Sequence, residues 1–278
     1  FEFNVMPFGI KNAPSEFQKT MEIVLSGLNW RKCLVYIDDI IIFSSTFDEH
    51  LTAIRDVFSA LNRANLKVKP EKCHFLQSNI TFLGHLVSAS GIQPAPTKIK
   101  DLMNFPAPNN VKELQKFLGL VQWFRKFVPN LASIARPLFL LLKKDCIFAW
   151  TDVHNNVFEL LKNMFVTPPI LSLPKFSPDY TFIVATDASN YALGAILRQE
   201  NCATGETTII AYASRTLNSA ECNYFTTEKE ALGIVWAIKH FRHYLYGRKF
   251  IIETDHQSLT WLMNLKDPSS RLRRWSLK

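Results

Sequence analysis

Residues 35–43 read Val35-Tyr36-Ile37-Asp38-Asp39-Ile40-Ile41-Ile42-Phe43, so two adjacent carboxylates stand between two short apolar runs. These β-branched and aromatic runs are typical of strands, and they predict a β-hairpin whose tight connection holds Asp38 and Asp39. Like charges this close repel each other, and a bound divalent cation would remove that repulsion. The alternative is a plain polar hairpin tip, because acids are common in turns.

The composition is that of a folded protein with a basic surface. The 278 residues suffice for two or more domains, and 47% of them are hydrophobic. A formal net charge of +8 favours a polyanionic partner such as nucleic acid, although a solvated basic surface would give the same total. No apolar run reaches the length of a membrane span, so we expect no membrane partner. The cysteines lack the spacing of a zinc site or a disulfide framework: Cys33, Cys73, Cys146, Cys202 and Cys222.

Local signals predict helices on both sides of the hairpin. Asn12 is a candidate N-cap for the first helix, and Thr46 with Glu49 has the spacing of a capping box that opens the second. Extended structure is predicted to return at residues 66–68 and 80–87. The second helix is predicted to bury an apolar stripe of Leu51, Ile54, Phe58 and Leu61.

Beyond Gly91 the sequence becomes rich in proline and lysine, which indicates a linker into an all-helical module. Apolar residues at helical spacing follow, and further helices are predicted at about 137–144 and 151–165. Cations lie among the apolar residues that precede these two helices: Lys112, Lys116 and Arg125. They form either a solvated helix face or a surface that contacts duplex phosphates. A new strand-rich domain is predicted from about residue 180.

Three acids of this last domain lie on different predicted elements. Asp187 follows an apolar strand, Glu230 lies in the first turn of a helix, and Asp255 follows another strand. If the fold brings them together, such carboxylates suit a pair of divalent cations about 4 Å apart that hydrolyse a phosphodiester. Glu230 also stands at capping-box spacing from Thr227, which is a purely structural alternative, and Glu228 is a rival for the same role.

Several motifs resemble those of one protein family, in the order in which that family carries them. Residues 36–39 resemble the Tyr-x-Asp-Asp motif of reverse transcriptases, and residues 5–18 resemble the segment that packs against template and incoming nucleotide. The primer-gripping hairpin, the thumb signature and the ribonuclease H module are matched by Phe82-Leu83-Gly84-His85, by Phe117-Leu118-Gly119-Leu120, and by Thr186-Asp187-Ala188-Ser189 with Thr254-Asp255-His256. The chain thus resembles part of the Pol polyprotein of a gypsy-class LTR retrotransposon.

The resemblance implies an α+β, multi-domain fold that is truncated at both ends. A reverse transcriptase palm with a helical thumb would be followed by a ribonuclease H-like, mixed-sheet α/β domain. The implied boundaries are residues 1–88 for a partial palm, 89–146 for the thumb, 147–178 for the connection and 179–278 for a partial ribonuclease H-like domain.

The resemblance also implies roles for particular residues. Asp38 and Asp39 would hold Mg²⁺ or Mn²⁺ at the polymerising site, and Asp187, Glu230 and Asp255 would hold the metals of a two-metal ribonuclease H site. The template and nucleotide pocket would comprise Pro7, Phe8, Gly9 and Tyr36, and the primer grip Phe82, Leu83, Gly84 and His85. Hybrid-binding residues would be Lys112, Lys116, Arg125, Arg271, Arg273 and Arg274.

The expected partners are an RNA/DNA hybrid, a primed RNA or DNA template, dNTPs and the rest of the Pol polyprotein. The expected location is a cytoplasmic virus-like particle, with nuclear entry of the parent complex. Family members use one more palm aspartate and a fourth ribonuclease H acid, which would lie before Phe1 and after Lys278. We therefore expect no polymerisation by this segment alone, and a non-catalytic nucleic-acid-binding remnant is the alternative function.

Overall fold

The computed structural model describes residues 5–7, 9–144, 146–166 and 169–255. The chain divides into two compact units, with the division between Ser78 and Asn79. Both units mix helices with largely antiparallel strands, which confirms the predicted α+β class. Within the described ranges, no helix has the length and apolar character needed to cross a membrane.

The first unit contains the predicted aspartate hairpin. Tyr36 pairs with Asp39 at its end, so Ile37 and Asp38 form a two-residue turn. Ile37 has φ 54°, a left-handed conformation that costs a residue with a Cβ about 1–2 kcal/mol. The turn is therefore held by contacts from outside the hairpin. The elements of this unit are α1 (Ala13–Val24), β1 (Cys33–Tyr36), β2 (Asp39–Ile42) and α2 (Phe47–Arg63).

Helix α2 begins as predicted, and of its predicted buried stripe Leu61 is buried while Ile54 and Phe58 are half-buried. Thr46 Oγ1 accepts a hydrogen bond from the Glu49 backbone at 3.3 Å, which confirms the capping box. The predicted stripe is wrong for Leu51, which is 39% exposed. Smaller side chains instead allow close packing against α1 and β1, and the buried positions are Ala53, Val57, Ala60 and Leu61.

Two further local predictions of this unit are also wrong. Asn12 occupies the N-cap position of α1, but its side chain makes no capping hydrogen bond because its backbone is already in the helical region. Residues 66–68 form no strand, since no neighbouring strand in the described part of this unit pairs with them.

The second unit opens with a three-strand meander and a group of helices, which we call the helical module (residues 96–163). The predicted helix at 137–144 ends at Leu140, because Leu142 and Lys143 bond to carbonyls three residues back and tighten the chain. The elements are β3 (Asn79–Phe82), β4 (His85–Ser88), β5 (Gly91–Pro94), α3 (Pro96–Met103), α4 (Val111–Trp123), α5 (Leu131–Ile134), α6 (Arg136–Leu140) and α7 (Asp152–Asn163).

A mixed sheet follows, as predicted. The described strands have the order β8-β7-β6-β9, and β9 runs parallel to β6 whereas the other pairs are antiparallel. The elements are β6 (Tyr180–Ala188), β7 (Ala192–Asn201), β8 (Thr207–Thr216), α8 (Ser219–Cys222), α9 (Thr226–His240), α10 (Arg242–Leu245) and β9 (Phe250–Glu253).

This sheet is covered on both faces. A Cβ on Gly233 of α9 would lie 3.8 Å from the Leu193 side chain. The next residue of the strand, Gly194, lies against Asn130 from the loop before α5. Successive residues of a strand point to opposite faces, so α9 and the helical module cover opposite sides of the sheet. Ile209 and Tyr212 of β8 accordingly pack into the phenylalanine-rich core of the helical module.

Gly91 joins the meander to the segment that leads into the sheet. Its φ is 135°, and the adjacent Ile92 exchanges two backbone hydrogen bonds with Leu171, at 2.7 and 3.0 Å. A Cβ on Gly91 would overlap the Leu171 carbonyl oxygen. Only glycine therefore permits this close approach of two backbones.

We expect Gly91→Ala to lower the free energy of unfolding of the second unit by about 2 kcal/mol or more, because strain adds to loss of the Leu171 contact. Chemical denaturation followed by circular dichroism measures this change. Gly119→Ala is the matched control, since Gly119 lies exposed in α4 with no atom within 4 Å of a new Cβ. That variant should be stabilised by roughly 0.5–1 kcal/mol. Equal effects of the two substitutions would contradict the assignment.

Candidate active sites

The aspartate turn of the first unit is braced by one side chain of α1. Gln18 Oε1 accepts a hydrogen bond from the Ile37 backbone N–H at 2.6 Å, and Gln18 Nε2 donates to the Val35 carbonyl at 3.3 Å. These bonds hold the strained turn and leave Asp38 and Asp39 exposed. The residues next to Gln18 in the sequence do not indicate that it braces the turn, because its partner Ile37 lies 19 residues away.

Three other residues predicted for the nucleotide pocket belong to the described part of this unit. Tyr36 is 53% exposed and forms the closing pair of the hairpin with Asp39. Pro7 and Gly9 lie in the segment that leads into α1. Phe8 is outside the described residues. Asp38 lies in the two-residue turn and Asp39 in the pair that closes it, and both carboxylates are exposed.

The predicted primer grip is a second tight hairpin, and it belongs to the second unit. Leu83 and Gly84 form its turn with φ 49° and 74°, and Phe82 pairs with His85. A Cβ on Gly84 would lie 3.2 Å from the Trp123 ring, so this turn is packed closely on the end of α4.

His85 is held neutral inside this contact. Its ring stacks on Trp123, with the centroids 5.9 Å apart, and also touches Phe127 at 5.7 Å. Burial, together with the nearby Lys126 ammonium, lowers the pKa of His85 to about 4. Its Nδ1 is buried without a hydrogen-bond partner in the structure. The primer-grip turn and α4 therefore form one packed element.

The three acids of the last domain lie near enough to one another to interact electrostatically. Ala185 pairs with Glu253 in the parallel β6–β9 ladder, and both chains continue two residues further to Asp187 and Asp255. Glu230 approaches from α9, is only 5% exposed, and has a buried Oε2 without a hydrogen-bond partner.

The electrostatics of Glu230 show this convergence. Burial, followed by the charges of Asp255 and Asp187, raises the pKa of Glu230 to about 7, while a hydrogen bond with the Ala188 backbone opposes the shift. A carboxyl so placed gives up its proton when a cation offsets the neighbouring charges.

The choice between Glu228 and Glu230 follows from where α9 begins. The helix starts at Thr226, and Glu228 Oε2 accepts a hydrogen bond from the Phe225 backbone at 3.2 Å. The capping role therefore falls to Glu228, and the alternative capping pair of Thr227 with Glu230 is wrong because the helix begins two residues earlier than that pair requires. Glu230 faces the aspartates instead.

Asp187, Glu230 and Asp255 fit a hard divalent cation by charge and by ligand type. Oxygen ligands suit Mg²⁺ and Mn²⁺, and the unpartnered Oε2 of Glu230 is an available donor. Across the described ranges, no three His, Cys, Asp or Glu side chains stand close enough to hold one metal ion together. The acids therefore share a charge environment, and a bound cation would have to draw them closer together.

The predicted hybrid-binding cations are only partly described. Lys112 and Lys116 are exposed on α4, and Arg125 is exposed in the 3₁₀ turn that follows it. The remaining three fall outside the described residues: Arg271, Arg273 and Arg274.

Family models match both ends of the chain. Residues 1–87 match the reverse transcriptase (RNA-dependent DNA polymerase) model, and residues 177–278 match the RNase H-like domain found in reverse transcriptase. The chain is therefore similar to reverse transcriptases that carry an RNase H-like domain.

Within that class it is similar to Pol polyproteins of transposons, as predicted. It is 47% identical over 279 residues to the retrovirus-related Pol polyprotein from transposon 297 of Drosophila melanogaster, and 38% identical over 278 residues to that from transposon 412. It is 37% identical over 281 residues to the transposon Tf2-3 polyprotein of Schizosaccharomyces pombe. These alignments cover 100% of the chain but 26%, 22% and 21% of the relatives, so the chain spans about a quarter of their length.

Solved structures of foamy viral protease-reverse transcriptase are also similar. The form in complex with RNA/DNA hybrid matches with a TM-score of 0.80 and 26% identity, covering 99% of this chain and 37% of that one. The form in complex with dsDNA matches with a TM-score of 0.77 and 26% identity, covering 95% and 58%.

Replacing Gln18 by Leu should free the Ile37 amide, because the apolar side chain offers no acceptor. We expect hydrogen exchange of that amide to accelerate roughly tenfold, which corresponds to ~1.4 kcal/mol. Gln18→Glu keeps an acceptor oxygen and serves as the control. Unchanged exchange in the Leu variant would show that the turn is held by other contacts.

The raised pKa of Glu230 predicts a pH-dependent stability. Between its unfolded value of 4.5 and about 7, the folded state holds a proton that the unfolded state lacks, so this contribution to stability falls as pH rises. Without divalent cations, Glu230→Gln should therefore melt above the wild type at about pH 8. The difference in melting temperature should vanish at about pH 4.5. When both proteins also carry Asp187→Asn, the difference at about pH 8 should be smaller, because one charge that repels Glu230 is gone. A difference independent of pH would refute the assignment.

Proposed function

We propose that the chain is the part of a retrotransposon reverse transcriptase that carries a polymerising site and a ribonuclease H site. The whole enzyme would extend a primer on an RNA or DNA template and cut the RNA of the resulting hybrid. The observation that carries the proposal is the convergence of Asp187, Glu230 and Asp255, which leaves Glu230 buried with a raised pKa.

The proposed hydrolytic site consists of three carboxylates, of which that of Glu230 is buried. Mg²⁺ or Mn²⁺ bound there would activate water and stabilise the leaving oxygen, in a two-metal phosphodiester cleavage. Asp187 and Asp255 each lie two residues beyond the last pair of the β6–β9 ladder, Ala185 with Glu253, and their charges act on Glu230 of α9. Because protonation of Glu230 competes with a cation, the site should gain affinity for metal as pH rises through about 7.

The polymerising site is proposed on the aspartate turn. Asp38 and Asp39 are exposed and would hold a divalent cation that contacts the primer end and an incoming dNTP. Tyr36, Pro7, Phe8 and Gly9 are proposed to shape the template and nucleotide pocket. Residues 82–85 are proposed to position the primer, since their hairpin is fixed on α4 by Trp123.

The proposed substrates are nucleic-acid duplexes. The exposed cations Lys112, Lys116 and Arg125 would contact phosphates of an RNA/DNA hybrid, together with Arg271, Arg273 and Arg274. The similarity to a foamy viral enzyme in complex with RNA/DNA hybrid supports this substrate class. The rest of a Pol polyprotein is the proposed covalent partner, and a cytoplasmic virus-like particle the proposed location.

The test is cleavage of an end-labelled RNA/DNA hybrid in Mg²⁺ by the chain. We expect the wild type to cut the RNA strand. The rate of cutting should fall at least about a hundredfold in Asp187→Asn, because one of the proposed metal-binding carboxylates is removed. Asp179→Asn is the matched control, since Asp179 is an exposed acid next to the opposite end of β6. It should cleave like the wild type.

Two outcomes would oppose the proposal. Equal cleavage by both variants would place the activity elsewhere. Binding of the hybrid without any cleavage by the wild type would favour the alternative of a non-catalytic nucleic-acid-binding remnant.

A further inference from the structure

The turn between β6 and β7 directly follows Asp187 and sets its position. Ser189 closes the turn, since its backbone N–H donates to the Ala192 carbonyl at 2.9 Å and its hydroxyl oxygen accepts from the Ala192 N–H at 3.0 Å. Asp187 pairs with Gly194 across the same hairpin. A displacement of this turn would therefore displace Asp187.

A buried lysine ties the turn to α9. Lys229 is only 7% exposed, and its Nζ donates to Asn190 Oδ1 at 3.2 Å. Burying an ammonium is unfavourable unless it is hydrogen-bonded, so this contact fixes the lysine side chain on the turn. Lys229 directly precedes Glu230, and the contact therefore joins the first turn of α9 to the turn that follows Asp187.

An arginine of the helical module contacts the next residue of the same turn. The Arg136 guanidinium lies 3.5 Å from the centre of the Tyr191 ring, a cation–π geometry. The Tyr191 carbonyl in turn accepts from the Leu217 N–H at 2.8 Å. Arg136 opens α6, so the turn is also tied to the helices that precede the sheet.

The segment before Arg136 is docked on the sheet beside Asp187. Asp187, Gly194 and Ser214 form one row across three adjacent strands. Asn130 packs against Gly194, and the Ala132 N–H donates to Ser214 Oγ at 2.9 Å. Arg136 therefore contacts Tyr191 from a segment that is already anchored to this row.

We propose that Arg136 and Lys229 are positioning residues of the ribonuclease H site. Arg136 acts from the helical module and Lys229 from α9, and together they clamp the turn after Asp187 so that this carboxylate stays opposite Glu230 and Asp255. The nuclease site then depends on the docked helical module. This inference rests on the proposed hydrolytic function, but it concerns the assembly of the acids and is measurable without cleavage.

The first experiment compares wild type, Arg136→Ala and Lys229→Met. Substitutions that disturb the support of metal ligands typically cost 10–100-fold in affinity or rate. We expect the Mn²⁺ affinity of the ribonuclease H site, measured by isothermal titration calorimetry with Asp38→Asn and Asp39→Asn introduced into every protein compared, to weaken roughly tenfold in each variant. The kcat for hybrid cleavage should fall by about the same factor while KM stays unchanged, because neither residue is proposed to touch the hybrid.

Conservative and matched variants separate positioning from general destabilisation. Arg136→Lys keeps a cation over Tyr191 and should recover part of the Mn²⁺ affinity. Tyr191→Leu should reproduce Arg136→Ala, and the double variant should lose no more than either single one. Lys175→Ala removes a cation from the ring of Tyr180, 4.8 Å away at the opposite end of β6, and should bind Mn²⁺ like wild type.

The outcomes are distinguishable from those of the proposed function. A wild type that binds Mn²⁺ but does not cleave defeats the proposed activity, and the calorimetric series still decides the positioning role. A folded Arg136→Ala variant with wild-type Mn²⁺ affinity and kcat refutes the clamp, whatever the activity. Absence of Mn²⁺ binding in the wild type contradicts both.

Discussion

Strand β6 is buried on both faces, and this burial fixes where the chain presents its carboxylates. Phe182, Ile183 and Val184 are each less than 5% exposed. A strand confined in this way cannot slip by one residue, because the slip would turn every side chain to the wrong face. The parallel pairing with β9 ends at Ala185 and Glu253, and each chain reaches its aspartate two residues further on. Burial of Glu230 raises its pKa, and the nearby charges of Asp255 and Asp187 add to the shift.

The sequence predicted those features that depend on neighbours in the chain. The capping box of Thr46 and Glu49 and the two-residue turn at Asp38 are set by short-range spacing, and both are present. The sequence favours Glu230 but leaves Glu228 open, because a shift of two residues in the start of α9 exchanges their roles. Only the packed helix distinguishes the capping acid from the acid that faces Asp187.

The remaining features depend on partners far away in the chain. Leu51 belongs to an apolar stripe of α2, but the buried stripe is the one whose small residues allow close packing against α1. Gln18 and Arg136 are polar residues on helices, and their sequence context gives no sign that they contact a distant turn. The stack of His85 on Trp123 likewise joins two motifs that the sequence presents as separate.

The parallel pairing of β6 with β9 also has a consequence for the order in which the protein is made. Synthesis proceeds from the N-terminus, so the helical module leaves the ribosome before the sheet that packs on it. Within the sheet, β6 is made early and β9 follows α9 and α10. Asp187 and Asp255 therefore stay apart until translation has passed the last described strand. Asp187, Glu230 and Asp255 can thus meet only after Asp255 has left the ribosome.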